Sequence, residues 1–248
     1  MSRQELEGRV ALVTGASRNI GRAIAVALGE AGASVLVHAG RDAVAAEETA
    51  RLVRATGAKA AVQLSDMASM EGPSVAVDAA LSTFGRLDIV VANAAIRPEA
   101  SIDTVSFEDW RRVMAIGLDS AFLLVKAALP ALRKSDQASI VLIGGLTGTT
   151  GAKERIHVVT AKAGLMGFGK ALAHDLGPDG ITVNTISPGL IETKRTGPEP
   201  VHHANRSNPL GRRGTPDEIA AAVCMFVGPN ARYITGQTLH VNGGALMA

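Results

Sequence analysis

Residues 10–37 have the sequence VALVTGASRNIGRAIAVALGEAGASVLV, which holds a complete strand–helix–strand unit. The apolar run Val10–Val13 predicts a strand, the helical periodicity of Ile20–Ala31 predicts a helix, and Ser34–His38 predicts the next strand. A glycine turn, residues 14–21, joins the first strand to the helix. Backbone N–H groups of such a turn can face a pyrophosphate, because the helix dipole favours negative charge at the helix N-terminus. The spacing is not G-x-G-x-x-G, so a tight turn without a ligand is the alternative.

Short apolar runs and helical stretches alternate along the rest of the chain. Further strands are predicted at Lys59–Gln63, Leu87–Ala92, Ser139–Ile143, Ile181–Thr185 and Thr238–Val241. Further helices are predicted at Ala43–Ala55, Pro73–Phe84, Phe107–Leu132, Ile156–Leu176 and Ile219–Val227. Continuous Val, Ile and Leu runs are typical of parallel strands buried on both faces, and strand–helix alternation predicts a doubly wound α/β sheet. We therefore expect one domain over residues 1–248, with a loop-rich insertion at residues 190–213 that suits a lid.

Composition narrows the functional classes. The formal net charge is only +2 and the basic residues are dispersed, which argues against a nucleic-acid partner. The single cysteine, Cys224, excludes an internal disulfide, and no spaced His/Cys cluster predicts a metal site. The charged N-terminus does not predict a signal peptide, and no uncharged apolar run approaches ~18 residues. We therefore expect a cytoplasmic protein with no membrane partner.

Several motifs occur in a fixed order along the chain. They are the turn at residues 14–21, Asp66, Asn93-Ala94-Ala95, Asn184 with Pro188-Gly189 and Thr193, and GQTLHVNGG at residues 236–244. In this order they resemble the short-chain dehydrogenase/reductase family, close to its 3-oxoacyl-carrier-protein reductase branch. Asn19 replaces the middle glycine of the family's T-G-x-x-x-G-x-G turn, and Asn tolerates the left-handed backbone region better than most residues.

The resemblance implies a fold, a cofactor and an assembly. It implies a three-layer Rossmann-type sheet of seven strands in the order 3-2-1-4-5-6-7, and a homotetramer that uses the helices at Phe107–Leu132 and Ile156–Leu176. It implies a dinucleotide cofactor bound by Gly15, Ser17, Arg18, Asn19, Ile20, Gly21, Arg41, Asp66, Met67, Asn93, Ala94, Lys162, Pro188, Gly189 and Thr193.

The end of the second strand bears on the choice of cofactor. NAD preference typically needs a carboxylate there, but residues 38–41 are His-Ala-Gly-Arg and the first acid is Asp42. A guanidinium pairs with a 2′-phosphate, and Arg18 and Arg41 are the candidates. We therefore expect NADP(H) rather than NAD(H), unless both arginines are merely solvated surface residues.

The family's catalytic side chains are largely missing. Lys162 matches the family lysine, but the tyrosine position four residues earlier is Val158 and the serine position is Gly145. The asparagine position is Gly117. The only tyrosine, Tyr233, belongs to the C-terminal motif, so no shift of the alignment restores the acid. The enoyl reductase spacing, with tyrosine seven residues before lysine, gives Arg155.

Three interpretations remain open. Other groups have replaced the lost ones, with Lys162, His157 and Arg155 as catalytic candidates and Thr147 or Thr149 as polarising hydroxyls. Alternatively, the chain is an inactive cofactor-binding sensor or a scaffold or regulatory subunit, or the cleft carries a different reaction. If they have no such role, the charged run at residues 153–157 and the basic residues of the predicted lid are solvated surface. The small-molecule substrate or ligand is not identified by the sequence.

Overall fold

A computed structural model describes residues 4–193 and 207–247. Its centre is a seven-stranded sheet in which every neighbouring pair is parallel. The strands are β1 (Val10–Val13), β2 (Ser34–Ala39), β3 (Ala60–Leu64), β4 (Ile89–Ala92), β5 (Ser139–Ile143), β6 (Thr182–Pro188) and β7 (Thr238–Val241). Their order is β3-β2-β1-β4-β5-β6-β7, which confirms the expected topology.

Eight α-helices accompany the sheet in the described residues. They are α1 (Asn19–Glu30), α2 (Ala43–Ala55), α3 (Gly72–Phe84), α4 (Phe107–Met114), α5 (Ser120–Leu132), α6 (Thr147–Thr150), α7 (Ile156–Leu176) and α8 (Pro216–Val227). Apolar residues of α1, α2 and α8 form one buried cluster with the sheet, and those of α3, α5 and α7 form another. The sheet is thus the middle of three layers.

Successive side chains of a strand belong alternately to the two buried clusters. Ala11 and Val13 of β1 belong to the first cluster, whereas Val10 and Leu12 belong to the second. Because successive strand side chains point to opposite faces, a strand covered on both sides must be apolar throughout. All four residues of β1 are buried accordingly.

The predicted long helix at Phe107–Leu132 is interrupted in the structure. A π-helical turn at Ala115–Asp119 separates α4 from α5. Ser120 closes the turn by donating from Oγ to the carbonyl oxygen of Ile116 at 2.7 Å. Such turns insert one extra residue and are frequent at functional sites. This turn contains Gly117, the position where the family carries its asparagine.

The same stretch, Phe107–Leu132, is the one part of the described chain long and apolar enough to cross a membrane by length and composition. Ala121, Leu124, Val125 and Ala128 of α5 are buried in the second core cluster. The apolar face of a helix that packs on a sheet has the same composition as a membrane span, so composition alone does not distinguish the two.

The predicted lid lies mostly outside the described residues, which omit 194–206. The two ends of the insertion pair with each other: Gly214 donates its N–H to the carbonyl oxygen of Leu190 at 3.0 Å, and Glu192 donates to that of Gly214 at 2.8 Å. These bonds fix where the segment leaves β6 and where it returns to α8.

Candidate active site

The glycine turn has the conformation that its sequence requires. Gly15 and Asn19 have φ values of 62° and 50°, so the asparagine adopts the left-handed conformation at the position where the family has glycine. A Cβ on Gly21 would lie 2.3 Å from the carbonyl oxygen of Gly15, which leaves no room for a side chain. Asn93 holds the turn, because its Nδ2 donates to the carbonyl oxygens of Thr14 and Gly15 at 2.9 and 3.0 Å.

A cavity of about 350 Å³ opens at the carboxyl ends of β1, β4, β5 and β6. Such an edge of a doubly wound sheet is the usual place for a ligand. The predicted cofactor residues that line it are Gly15, Ser17, Arg18, Asn19, Ile20, Gly21, Asn93, Ala94, Lys162, Pro188, Gly189 and Thr193. The remaining lining consists of Ala95, Arg97, Ile143, Gly144, Gly145, Leu146, Thr147, Arg155, Val158, Leu190 and Ile191.

Three predicted cofactor residues do not line this cavity. Arg41 follows β2 and is exposed, and Asp66 and Met67 follow β3. Asp66 accepts a hydrogen bond from the N–H of Ala68 at 3.0 Å, and Met67 is buried. All three nevertheless lie at the same carboxyl edge of the sheet as the cavity.

Arg18 is positioned by an ion pair. Its Nη2 lies 2.7 Å from Oδ2 of Asp42, and both side chains are about half exposed. The other carboxylate oxygen of Asp42 accepts from the N–H of Ala45 at 3.0 Å and caps α2. Arg18 is thereby held between the glycine turn and the end of β2, although the pair also neutralises part of its charge.

The cavity fits an anionic dinucleotide. The first-turn N–H groups of a helix have no partner within the helix, and those of α1 lie at this cavity. Four cationic side chains, Arg18, Arg97, Arg155 and Lys162, line it, whereas the described lining contains no carboxylate. The charged side chains that line the cavity are therefore all cationic, which suits a phosphate-bearing cofactor.

Lys162 is buried at the base of the cavity. Its Nζ donates a 2.6 Å hydrogen bond to the carbonyl oxygen of Ile143. Burial disfavours the charged form and lowers the pKa of Lys162 to about 7, with a smaller contribution from the positive charge of Arg97. The lysine thus titrates near neutrality.

Val158 and Lys162 lie on the face of α7 that lines the cavity. Arg155, the residue immediately before α7, lines the cavity on the same side. Val158, at the position that the resemblance assigns to the family tyrosine, has no group that can carry a proton. A Cβ on Gly145, the position that the resemblance assigns to the family serine, would meet Cγ of Lys162 at 3.8 Å, so a side chain begins there in ordinary contact without a clash.

Gly117 differs from Gly145 in its surroundings. A Cβ on Gly117 would lie 3.2 Å from Cβ of Ala161, which is closer than ordinary van der Waals contact. A side chain at position 117 would therefore require Ala161 to shift by a few tenths of an ångström.

The structure does not bring His157 into the cavity. This histidine is fully buried on α7, and neither ring nitrogen has a hydrogen-bond partner at ordinary geometry. Burial lowers the pKa of His157, and the nearby charge of Arg155 lowers it further. Of the three catalytic candidates, Lys162 and Arg155 line the cavity and His157 does not.

Only one of the two candidate hydroxyl residues, Thr147 and Thr149, lines the cavity. Thr147 lines the cavity, whereas Oγ1 of Thr149 lies against Sδ of Met166 at 3.5 Å.

Arg97 is a cavity residue that sequence reasoning missed. It follows the Asn93-Ala94-Ala95 motif by two positions, and a basic residue at the end of a buried parallel strand was the available signal.

Comparisons with known proteins agree with this geometry. Residues 15–245 match the family model described as enoyl-(acyl carrier protein) reductase. The 3-oxoacyl-[acyl-carrier-protein] reductase FabG of Vibrio cholerae is 40% identical over 247 residues, covering 98% of this chain and 99% of that protein. FabG of Escherichia coli is 39% identical over 246 residues, covering 97% of this chain and 98% of that protein.

Solved structures are similar over the same length. A short chain dehydrogenase from Burkholderia cenocepacia in complex with NADP has a TM-score of 0.92 and 34% identity, covering 98% of this chain and 99% of that one. The angucycline C-6 ketoreductase LanV with bound NADP has a TM-score of 0.92 and 30% identity, covering 99% and 98%. Fold, motif order and full-length similarity together show that the chain belongs to the short-chain dehydrogenase/reductase family of oxidoreductases.

Proposed function

We propose that this chain binds NADP(H) and is a divergent oxidoreductase with low activity on simple carbonyl substrates. The observation that supports this most directly is the face of α7 in the cavity. It keeps Lys162, but it carries Val158 and Arg155 at the two positions where a family tyrosine would stand. The cofactor end of the cavity retains its glycine turn, Asn93 and Pro188-Gly189.

The preference for NADP(H) rests on charge. Arg18 lines the cavity and no carboxylate does so within the described residues. A 2′-phosphate gains from a guanidinium, whereas NAD preference needs an acid at the end of β2. The NADP-bound dehydrogenase and ketoreductase with similar structures support the same choice.

We assign the proton chemistry to Lys162. When bound, the nicotinamide supplies the hydride acceptor or donor, and a carbonyl reduction then needs a proton at the developing alkoxide. Lys162 is the one cavity-lining side chain whose pKa is brought to about 7, so it exists in both protonation states near neutrality. Its hydrogen bond to Ile143 directs Nζ along the end of β5. Arg155 adds positive charge at the same side of the cavity, although its Nη2 pairs with Glu99 at 3.2 Å and its Nη1 donates to the carbonyl oxygen of Arg97.

The loss of the hydroxyls sets the expected rate. A positioned general acid or base contributes about 10²–10⁴-fold to a rate, and Val158 and Gly145 offer no hydroxyl to hold the substrate oxygen beside Lys162, so we expect a rate reduced on this scale. We place no chemistry on His157, since its ring lies outside the cavity.

The alternative is a cofactor-binding sensor or scaffold subunit without turnover. The retained Lys162, Asn93 and Thr193 serve cofactor binding equally well in that case. The experiment combines titration calorimetry of NADP⁺ and NAD⁺ with NADPH oxidation in the presence of ethyl acetoacetate. The variants are Lys162→Met and, as the matched control on the exposed side of α7, Lys170→Met.

Slow turnover that Lys162→Met abolishes and Lys170→Met leaves intact would support the divergent enzyme. Tight NADP⁺ binding without turnover in any form would favour the sensor. NAD⁺ binding more tightly than NADP⁺, or rapid NADPH oxidation that survives Lys162→Met, would overturn the proposal.

We further propose a cytoplasmic homotetramer. The free Cys224 thiol is buried, which suits a reducing compartment. Phe122 of α5 is 50% exposed and stacks edge-on with Phe168 of α7, so an apolar surface crosses the two helices expected to pair. Sedimentation analysis would test the assembly, and Phe122→Glu should dissociate it.

We also retain the proposal of a single domain, with residues 190–213 as a lid over the cavity.

A further inference from the structure

His38 of β2 lies between the two segments that carry the cofactor residues at this edge of the sheet. One segment is the glycine turn at residues 14–21, and the other follows β3 and contains Asp66 and Met67. The side chain of His38 is only 1% exposed, and each of its ring nitrogens has a partner in one of these segments. The ring therefore joins the two segments across the end of β2.

The glycine turn is bonded to His38 at two successive residues. Nδ1 of His38 accepts a hydrogen bond from the N–H of Gly15 at 3.3 Å, and its carbonyl oxygen accepts from the N–H of Ala16 at 2.8 Å. From the other side, Nδ2 of Asn93 donates to the carbonyl oxygen of Gly15 at 3.0 Å. Gly15, whose φ is 62°, is thus held through its N–H by β2 and through its carbonyl by the residue that follows β4.

The partners of the ring require one tautomer. Nε2 of His38 lies 3.0 Å from the carbonyl oxygen of Ser65 and 3.1 Å from its Oγ. That Oγ donates its own hydrogen to the carbonyl oxygen of Gly72 at 2.7 Å, so both oxygens of Ser65 accept and Nε2 must carry the hydrogen. Nδ1 accepts from an N–H and must carry none. The neutral Nε2–H form is therefore the one that satisfies every partner.

A second proton on the ring would break this arrangement. It would direct an N–H of Nδ1 at the N–H of Gly15, and two donors in a buried place have no water to bind instead. Burial lowers the pKa of His38 below its usual 6.5, and the hydrogen bond with Ser65 opposes this only in part. The ring is therefore neutral at neutral pH and takes up its second proton only in more acidic solution.

Charged neighbours do not account for this shift of the pKa, which burial and the bond with Ser65 explain. The strands beside β2, which are β1 and β3, carry no charged residue. His38 points to the same face of the sheet as Leu36, where α3 packs, and Asp78 of α3 is exposed. The charged residues of the loops at this edge are Arg18, Arg41, Asp42, Asp66 and Glu71, of which Arg18 and Asp42 pair with each other.

We propose that His38 is a positioning residue of the cofactor site: its neutral ring holds the glycine turn against the segment after β3, and protonation of the ring weakens dinucleotide binding. This inference rests on the proposed function, because it takes these segments to bind NADP(H). Acidification also charges Lys162, which strengthens the attraction for an anionic cofactor, so the effects of the two residues have opposite signs.

The experiment measures NADP⁺ binding to the full chain by titration calorimetry at pH 7.5 and at pH 5.0. In His38→Asn the side-chain oxygen can replace Nδ1 as the acceptor for the N–H of Gly15, but it does not titrate. His38→Leu has a similar size and no acceptor. The matched control is His174→Asn, because His174 is an exposed histidine in the last turn of α7.

At pH 7.5 we expect His38→Asn to bind NADP⁺ within about threefold of the wild type and His38→Leu to bind about tenfold more weakly. At pH 5.0 the wild type should have lost at least about threefold in affinity relative to His38→Asn, and His174→Asn should behave as the wild type. Titration of Lys162 and of the cofactor phosphates is common to these proteins and cancels in the ratio. Equal pH dependence in the wild type and His38→Asn, or undiminished affinity in His38→Leu, would overturn the inference.

A second readout needs no cofactor. Nitrogen-15 NMR of the histidine side chains shows which ring nitrogen carries the hydrogen, and the signals that His38→Asn lacks belong to His38. We expect the Nε2–H tautomer at pH 7.5 and a titration below pH 6.5. The Nδ1–H tautomer would overturn the inference, even where His38→Leu fails to fold.

The two proposals fail in different ways. NADP⁺ binding by the wild-type chain at pH 7.5 is measured first, and its absence contradicts the proposed function. The tautomer of His38 then still decides whether the ring holds the turn. NADP⁺ binding with the same pH dependence in the wild type and His38→Asn contradicts only the role of His38.

Discussion

Nζ of Lys162 lies 2.6 Å from the carbonyl oxygen of Ile143, so the retained family lysine is anchored to the last residue of β5. The bond satisfies one ammonium proton inside a buried site, and burial brings the pKa of Lys162 to about 7. The charge of the lysine is therefore adjustable within the ordinary range of pH.

Affinity for NADP⁺ should depend on pH through Lys162. Below pH 7 the lysine is charged and attracts the anionic cofactor, and this attraction is lost as the pH rises through about 7. We expect the dissociation constant to increase by roughly fivefold between pH 6 and pH 9. Calorimetry at several pH values checks this. Lys162→Met should bind weakly with a flat profile, and an unchanged pH dependence in that variant would assign the titration elsewhere.

Restoring the two hydroxyls should restore reductase activity. Val158→Tyr with Gly145→Ser places an acid and a polarising hydroxyl beside Lys162, and the 3.8 Å clearance at Gly145 admits the serine. We expect NADPH oxidation with ethyl acetoacetate to increase by about 10²-fold or more. The matched control is Val158→Phe with Gly145→Ser, which has the ring without the hydroxyl. A similar gain in the control would show that shape rather than proton transfer limits the rate.

Arg18→Met should separate the two cofactors. Loss of a charge-assisted contact to a phosphate should weaken NADP⁺ binding by roughly tenfold and leave NAD⁺ binding nearly unchanged. The control is Arg51→Met, because Arg51 pairs with Glu48 on the exposed side of α2. Parallel titrations with both cofactors give the answer, and equal losses for NADP⁺ and NAD⁺ would point to a role of Arg18 in folding the turn.

His157→Leu should not destabilise the fold near neutral pH. The buried ring has no hydrogen-bond partner at ordinary geometry, so an apolar side chain of similar size removes an unsatisfied group and stabilises by up to ~1 kcal/mol. The measurement is chemical unfolding at pH 7.5.

The same variant should change the response to acid. The pKa of His157 is lowered in the folded state, so the unfolded chain binds the proton more tightly and wild-type stability falls as the pH drops below about 6.5. His38, which is buried and whose pKa is also lowered, contributes in the same direction and remains in the variant. His157→Leu should therefore lose less stability on acidification than the wild type. A steeper loss would mean that the protonated ring of His157 is stabilised in the folded state, for which Asp109 is the nearby acid.

The order of the strands was predicted from the family resemblance and is confirmed, whereas local patterns predicted the individual elements and the glycine turn. The bounds predicted for Val10–Val13, Ala43–Ala55 and Ile156–Leu176 agree with the structure residue for residue. The π-helical turn at Ala115–Asp119 was not predicted, since hydrophobic periodicity changes little when one residue is inserted.

The cleft was harder to predict than the sheet. Arg155 lines the cavity beside Lys162 although it precedes α7, so helix periodicity alone could not place it. Arg97 was missed because a loop residue acquires its neighbours from tertiary contacts. The candidate His157 does not line the cavity, since a shift of one residue along a helix decides whether a side chain faces the cleft or the core.

Gly145 and Gly117 differ in how readily they would accept a side chain. A Cβ on Gly145 would meet no atom closer than 3.8 Å, which is ordinary contact. A Cβ on Gly117 would lie 3.2 Å from Cβ of Ala161, which would have to shift by a few tenths of an ångström, and overpacking of a core costs about 1–3 kcal/mol. For redesign of the cleft, a serine can therefore be introduced at position 145 alone, whereas an asparagine at position 117 is best combined with a smaller residue at position 161.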